Sequence, residues 1–416
     1  MTDQSGPIIA ADGTPLKKKL AQAMFRSRAR AFGLVFPLLA FILMAFIVPI
    51  VVLLWQGVYD GRYAELMPNS TKALANWDAK SEVTEELAAA MVADLVEAAD
   101  NKTIGQVATR VNRELPGTRS LFTSTGRSAK KMEAPYLEAL IKKDKEWADI
   151  EVWQAVKIAS KTFNPSYLAA AVDMKYNADG SFSAQDEDRQ IHVKLFFRTL
   201  EISFLVTVFC LILGYPVAYL LSTLSVRTSN LLLILVLLPF WTSLLVRTTA
   251  WIAMLQGEGV LNDLFVVFGI ATNEDRFSLI YNKTGTLIAM THILLPFMIL
   301  PLYSVMKTIP PSYVRAAKSM GATPWTAFWR VYFPQSVPGI GAGALLVFIL
   351  AIGYYITPAL VGGQDGQMIS NIIDFHMRRS LNWNLAAALG LVLLVFVLFL
   401  FWLYDRIVGI DNMKLG

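Results

Sequence analysis

Six stretches of this 416-residue chain run without a charged side chain for about the length a helix needs to cross a bilayer. Roughly 30 Å of hydrocarbon takes about 20 helical residues. Residues 31–56, 202–226, 228–246, 284–306, a window within 331–364, and 380–404 meet that requirement. One such run reads equally well as a buried core helix, but six in one chain point to lipid as the solvent. The chain is 55% hydrophobic and 17% charged, with a mean hydropathy of +0.47, whereas soluble domains carry about a quarter charged residues. A fibrous, disordered or disulfide-stapled protein is excluded. The single cysteine, Cys210, lies inside an apolar run, so no disulfide framework and no Cys-based metal cluster is expected.

The expected architecture is an all-α integral membrane protein with six transmembrane helices: one leading span at 31–56, then a five-helix unit within 196–410. The five spans are placed near 199–224, 229–254, 284–306, 338–360 and 383–406, the fourth of these starting near Pro338 because Pro334 and Pro338 interrupt the run. Pro37 and Pro49 in the leading run are tolerable, because neighbouring groups satisfy the carbonyls that proline frees. That run follows 30 residues, exceeds a signal-peptide core and has no A-x-A site, so it reads as an uncleaved span.

Basic residues set the orientation. Lys17, Lys18, Lys19, Arg26, Arg28 and Arg30 in the 1–30 tail, Arg227, then Lys307, Arg315, Lys318 and Arg330, and finally Arg406 and Lys414 fall on one side. The short loops opposite carry only Arg276, Lys283, Arg378 and Arg379. Both termini are therefore expected in the cytoplasm, and residues 57–195 outside.

That insert carries 18 basic and 21 acidic residues. Val83, Leu87, Met91 and Leu95 recur every four residues over 81–99, with Glu82, Glu85 and Glu86 favouring the start of a helix. Leu137, Leu140, Ile141, Trp147, Ile150, Trp153 and Val156 form a second amphipathic pattern, while 177–180 and 186–188 read as exposed turns. A mainly helical domain of this size is feasible. It shows no catalytic constellation or metal-ligand spacing, which suits a spacer or lid packed on the outer face better than a docking surface for a soluble partner.

The loop at 307–337 carries the most informative pattern. Pro310 and Pro311 open a short helix with Ser312 as a cap partner. Ala316, Ala317, Met320 and Gly321 offer small residues for close approach, Gly321 ends the helix, and Thr323 with Pro324 starts another. Physics alone reads this as an interfacial amphipathic hairpin. The loop also resembles the EAA loop of binding-protein-dependent ABC importer permeases: Arg315-Ala316-Ala317, then Gly321, then Val331 to Pro334 keep its spacing, with Arg315 where the family has glutamate. The likeness extends over about 198–408. Arg198-Thr199-Leu200, Pro239 to Trp251, Gly257 to Asn262, Leu295-Pro296-Phe297 and Gly353 to Gly363 look like the polyamine (spermidine and putrescine) branch, and the insert lies outside the resemblance.

The resemblance implies a transport subunit without chemistry or cofactor of its own. No G-x-x-x-x-G-K-[ST] phosphate cradle is present, so ATP is expected on a separate cytoplasmic ATPase dimer. In the family, the EAA helix sits in a cleft of that ATPase and moves with it. Arg315, Ala316, Ala317, Lys318, Gly321 and Pro334 are the implied coupling residues. Further implied partners are a second permease subunit, identical or paralogous, a periplasmic solute-binding protein and membrane lipid, with no nucleic acid, in a bacterial inner membrane. The cargo expected from the branch is putrescine or spermidine, with another small nitrogenous, opine-like or phosphonate solute as the alternative.

Charged and polar residues inside apolar runs are the candidate pathway groups. Arg247 reads either as snorkelling to headgroups or as an outer gate beside Trp241 and Trp251. Glu201 fits a loop salt bridge better than substrate contact, His292 a packed position, and Tyr354 and Tyr355 either a pathway or an interface belt. Asp263, after Gly257 and Gly259, precedes a short helix able to lie flat on the membrane. An ion-coupled secondary transporter, a rival class, would show inverted repeats and broken midplane helices, and no clear repeat is present. A membrane sensor or enzyme would need a catalytic or ligand-binding insert.

Overall fold

A computed structural model describes residues 16–408. Lys414 and the side chains of Lys17, Lys18, Lys19 and Arg26, used above for orientation, lie outside the described residues.

The leading span is a helical rod: α1 (Leu16–Ile42) passes through a π-turn (Leu43–Ile47) into α2 (Val48–Trp55). Pro49 causes the π-turn. It has no N–H for the Ala45 carbonyl, and the Val48 N–H just before it reaches back to the Leu43 carbonyl, five residues away.

The insert, taken with the remainder of the chain, begins with α3 (Arg62–Leu66), α4 (Pro68–Asn76), α5 (Glu85–Asp100) and α6 (Ile104–Glu114). It continues with α7 (Thr118–Ser128), α8 (Tyr136–Lys143), α9 (Ile150–Ser160) and α10 (Ser166–Ala171). The expected 81–99 helix starts later, at Glu85, because Thr84 caps it by accepting from the Leu87 N–H. Its buried face is Leu87, Met91 and Leu95, packed with Phe122, Trp147 and Trp153. Both indoles are satisfied: Trp147 Nε1 donates to Thr125 Oγ1 at 3.0 Å and Trp153 Nε1 to the Trp147 carbonyl at 2.9 Å. Asp94, fully buried, accepts from the Ser70 N–H at 2.7 Å and from Ser70 Oγ at 2.8 Å, which anchors the start of α4. Strands β1 (Met174–Tyr176) and β2 (Phe182–Ala184) pair antiparallel, Tyr176 opposite Phe182, around the turn expected at 177–180.

The membrane unit then runs α11 (His192–Thr223), α12 (Val226–Leu237), α13 (Leu244–Leu255), α14 (Val260–Val267), α15 (Lys283–Thr308) and α16 (Pro311–Ser319). It ends with α17 (Pro324–Ala327), α18 (Phe333–Ile352), α19 (Ile356–Val361), α20 (Ile369–Arg378) and α21 (Trp383–Val408). Among the described residues five helices are long and apolar enough to cross a bilayer, or six with a pair that bends by 93° between Val226–Trp241 and Leu244–Val267 counted as one. The apolar run predicts one straight span over 229–254. Pro239 instead sits in a 3₁₀ turn, Thr242 is extended, and Ser243 starts a new helix by accepting from the Val246 N–H.

The fifth span also differs from expectation. The helix that carries it begins at Pro324, inside the 307–337 loop, rather than near Pro338, and runs to Ile352. Pro334 is absorbed as Pro49 is: a π-turn over Phe328–Tyr332 precedes it, and the Phe333 N–H bonds the Phe328 carbonyl. Helices α11, α15 and α18 form the core through Ile202, Val206, Leu294, Met298, Leu302 and Val347. Gly343 makes the closest approach there: a Cβ at that position would stand 2.8 Å from Met298 Sδ and 3.1 Å from the Met298 carbonyl oxygen, so any larger residue separates α18 from α15.

The insert docks on α20 and α21. Tyr167 and Ala171 of α10 pack with Leu195, Ile369, Ala388 and Leu389. Arg113 donates to the Leu381 carbonyl at 3.0 Å, and Asn384 to the Tyr59 carbonyl at 3.1 Å. Asp173 accepts from the His192 and Val193 N–H groups at 3.0 and 2.8 Å and starts α11. At this junction the His192 and His376 rings lie 6.4 Å apart. Burial first, then His192 and Arg113, push the His376 pKa down to about 4. In the unfolded chain a histidine takes its proton near pH 6.5, so His376 favours the folded state above that pH, and the contribution is lost as pH falls from 6.5 through 4. The expected outcome is a melting temperature that drops over this window and drops less in His376→Gln, measured in detergent from pH 7 to 4.

Candidate functional site: the coupling loop and an intramembrane polar cluster

The loop pattern becomes a built turn. Pro310 and Pro311 start α16 with no side-chain cap, so Ser312 does not cap it. At the other end the Ala322 N–H bonds the Ala317 carbonyl at 3.1 Å and the Gly321 N–H bonds the Lys318 carbonyl at 3.0 Å. This is a Schellman closure, which places Gly321 in the left-handed region at φ +89°. Thr323 then accepts from the Thr326 N–H at 3.2 Å and starts α17. Successive helical residues are turned by about 100°, so Ala316 and Ala317 part company: Ala317 is buried, whereas Arg315, Ala316, Lys318 and Gly321 face out. Pro334 is exposed as well. Sequence reasoning missed the large apolar groups that share this face: Tyr313 is 52%, Trp325 71% and Met320 83% exposed. A Cβ on Gly321 would meet nothing within 4 Å, leaving an open notch beside cations and aromatics.

The second cluster lies where α13 meets α15. Arg247 and Trp251, one helical turn apart, share a face of α13. Trp251 Nε1 donates to His292 Nδ1 at 3.1 Å, their rings 5.3 Å apart. The Arg247 charge reaches both His292 and Tyr354, while its Nε is buried with no hydrogen-bond partner. Next to it, Thr248 and Thr357 hydroxyls meet at 3.2 Å, tying α13 to α19. The candidate pathway residues therefore divide. Arg247, Trp251 and Tyr354 gather, together with His292, which the sequence reading had left as packing. Trp241 stays apart, 89% exposed beyond the break at Thr242–Ser243. Glu201 pairs with Lys283 across the starts of α11 and α15. Tyr355 turns to α20, accepting from Arg378 at 3.0 Å with the guanidinium over its ring. Asp263 pairs with Arg276 at 2.9 Å. Among the described residues no group of three or more His, Cys, Asp or Glu is placed to hold a metal ion.

Comparison with known proteins adds the rest. Residues 202–408 match the family model described as binding-protein-dependent transport system inner membrane component. The chain is 34% identical over 224 residues to the spermidine/putrescine transport system permease protein PotB of Haemophilus influenzae, covering 54% of this chain and 78% of that one. It is 31% identical to PotB of Escherichia coli, covering 53% and 80%. Among solved structures it is similar to a bacterial alginate ABC transporter in complex with an alginate pentasaccharide-bound periplasmic protein, at 18% identity and a TM-score of 0.44, covering 56% of this chain and 82% of that one.

Proposed function

The chain belongs to the family of binding-protein-dependent transport system inner membrane components, a multi-pass inner-membrane ABC permease and not an enzyme, and we propose that its cargo is a polyamine, putrescine or spermidine. The observation that carries this reading is the 34% identity across nearly four fifths of a spermidine/putrescine permease. On this reading the chain crosses six times, the bent pair counting as one span, with both termini in the cytoplasm and the 57–195 insert outside; the excess of Lys and Arg on the loops of one side supports it. The loop at 307–337 then faces the cytoplasm and presents Arg315, Ala316, Lys318 and Gly321 to a separate ATPase dimer, which binds the ATP. A periplasmic binding protein delivers the solute. A second permease subunit, identical or paralogous, completes the pathway, with Arg247, Trp251, His292 and Tyr354 on its wall.

A polycation would pass that wall against the aromatic faces of Trp251 and Tyr354, with the Arg247 charge one turn away opposing it. An anionic solute is the second reading, and the partnerless buried Nε of Arg247 is what favours it. Reconstitution with the binding protein and ATPase in proteoliposomes separates the two. Spermidine or putrescine uptake that requires both ATP and the binding protein is the expected result. Uptake of a phosphonate but of neither polyamine would transfer the assignment to the anionic class.

A further inference from the structure

The coupling loop has to hand its motion to a span, and the transporter reading above is the premise for asking which contact does so. We propose that the hydroxyl pair of Tyr332 and Ser222 is the positioning contact that makes α11 follow the loop. Tyr332 closes the π-turn at Phe328–Tyr332, directly after α17, and is 7% exposed. Its hydroxyl meets Ser222 Oγ at 3.1 Å, in the last turn of α11. Around that bond the rings interlock: Tyr219 of α11 stands edge-on to Tyr332 at 5.1 Å and to Phe328 at 5.8 Å. One turn deeper, Tyr215 and the buried Ser336 join their hydroxyls at 2.9 Å. The same end of α11 is held from α15, where Lys307 Nζ donates to the Ser222 and Leu224 carbonyls at 3.3 and 3.5 Å.

Ring packing favours edge-on geometry over a broad range of centroid distances, about 4.5–7 Å, so on its own it permits some sliding. A hydrogen bond is directional and fixes register. The π-turn between the loop and α18 is the deformable element, as such turns often are at working sites. A displacement of α16 therefore travels through the Gly321 turn and α17 to Tyr332. There it passes to α11, which packs on both α15 and α18.

The test uses the assembled complex with its ATPase. In a Cys210→Ser background, Leu220→Cys places a thiol in the last turn of α11, at a position 50% exposed, and maleimide labelling is compared without nucleotide and after vanadate trapping. The parent is expected to label at different rates in the two states. Tyr332→Phe, which keeps the ring, is expected to retain ATP hydrolysis while the labelling difference shrinks about fivefold, the worth of one neutral hydrogen bond. Ser222→Ala, which also removes the bond that Ser222 Oγ donates to the Tyr219 carbonyl at 2.8 Å, gives at least the same loss, and the double variant is no worse than Ser222→Ala alone, because the shared bond is already gone.

A full labelling difference in both single variants overturns the proposal, as does a fall in hydrolysis that keeps step with it, or additive losses in the double variant. A parent that hydrolyses ATP without any labelling change shows that α11 does not follow the loop. A parent that does neither defeats the transporter reading itself, and this proposal with it.

Discussion

Arg110→Met is expected to destabilise the insert by about 3–5 kcal/mol, the usual cost of stripping one partner from a buried ion pair. The guanidinium is 2% exposed and reaches Asp60 Oδ2 at 2.8 Å and Glu114 Oε1 at 2.7 Å. Burial works against its charge, but Tyr167, Glu114 and Asp60 outweigh burial and raise its pKa. Tyr167 donates to Asp60 at 2.7 Å, lies under the guanidinium at 5.3 Å, and Ser166 donates to Glu114 at 3.0 Å. Without Arg110 the buried Asp60 carboxylate and the largely covered Glu114 carboxylate lose the charge that both contact. The network also joins the first residues of the insert to α10, which docks on α21, so its loss loosens the docking as well. Thermal unfolding followed by tryptophan emission should fall by roughly 10 °C or more for a domain of this size. An unchanged melting curve would mean that the network contributes nothing net.

The second large effect concerns coupling. Gly321→Trp should abolish most solute uptake while the chain still inserts and folds. The left-handed backbone costs any other residue about 1–2 kcal/mol, which a folded membrane unit can absorb. Space is not limiting, because a Cβ there meets nothing within 4 Å. The indole instead fills the notch between Met320 and the exposed α16 face, the surface proposed above to meet the ATPase. Gly321→Ala is the control: it carries the same backbone strain with no bulk, and should retain most uptake. Equal losses in both variants would assign the effect to strain, and normal uptake in Gly321→Trp would remove this loop from the coupling route.

What was legible follows from which interactions are local. Charge-free length marked the long helices, the four-residue repeat of Val83, Leu87, Met91 and Leu95 marked α5 though not its start at Glu85, and Gly321 marked the end of α16, because each signal lies within a few residues of its effect. The bend after Pro239 was not legible, since a proline in an apolar run is equally compatible with a straight span. The helix that carries the fifth span starts earlier than the sequence predicts for a related reason. Pro334 and Pro338 look like breaks, but a π-turn upstream reassigns the carbonyl that Pro334 leaves without a donor. Long-range partners were out of reach altogether. Nothing near His292 in sequence announces Trp251, 41 positions away, and nothing near Arg113 announces Leu381, 268 positions away. The residues proposed for coupling were readable as a motif, whereas which side of α16 faces outward required the fold.

The central claim is that this chain is the membrane subunit of an ATP-driven importer, and it is tested most directly by purifying the chain from its native membrane in detergent and assaying what comes with it. The account predicts a complex containing an ATPase subunit whose hydrolysis rate rises when the solute-loaded binding protein is added. A chain that purifies without an ATPase, and catalyses uptake in proteoliposomes driven by an ion gradient alone, would contradict it.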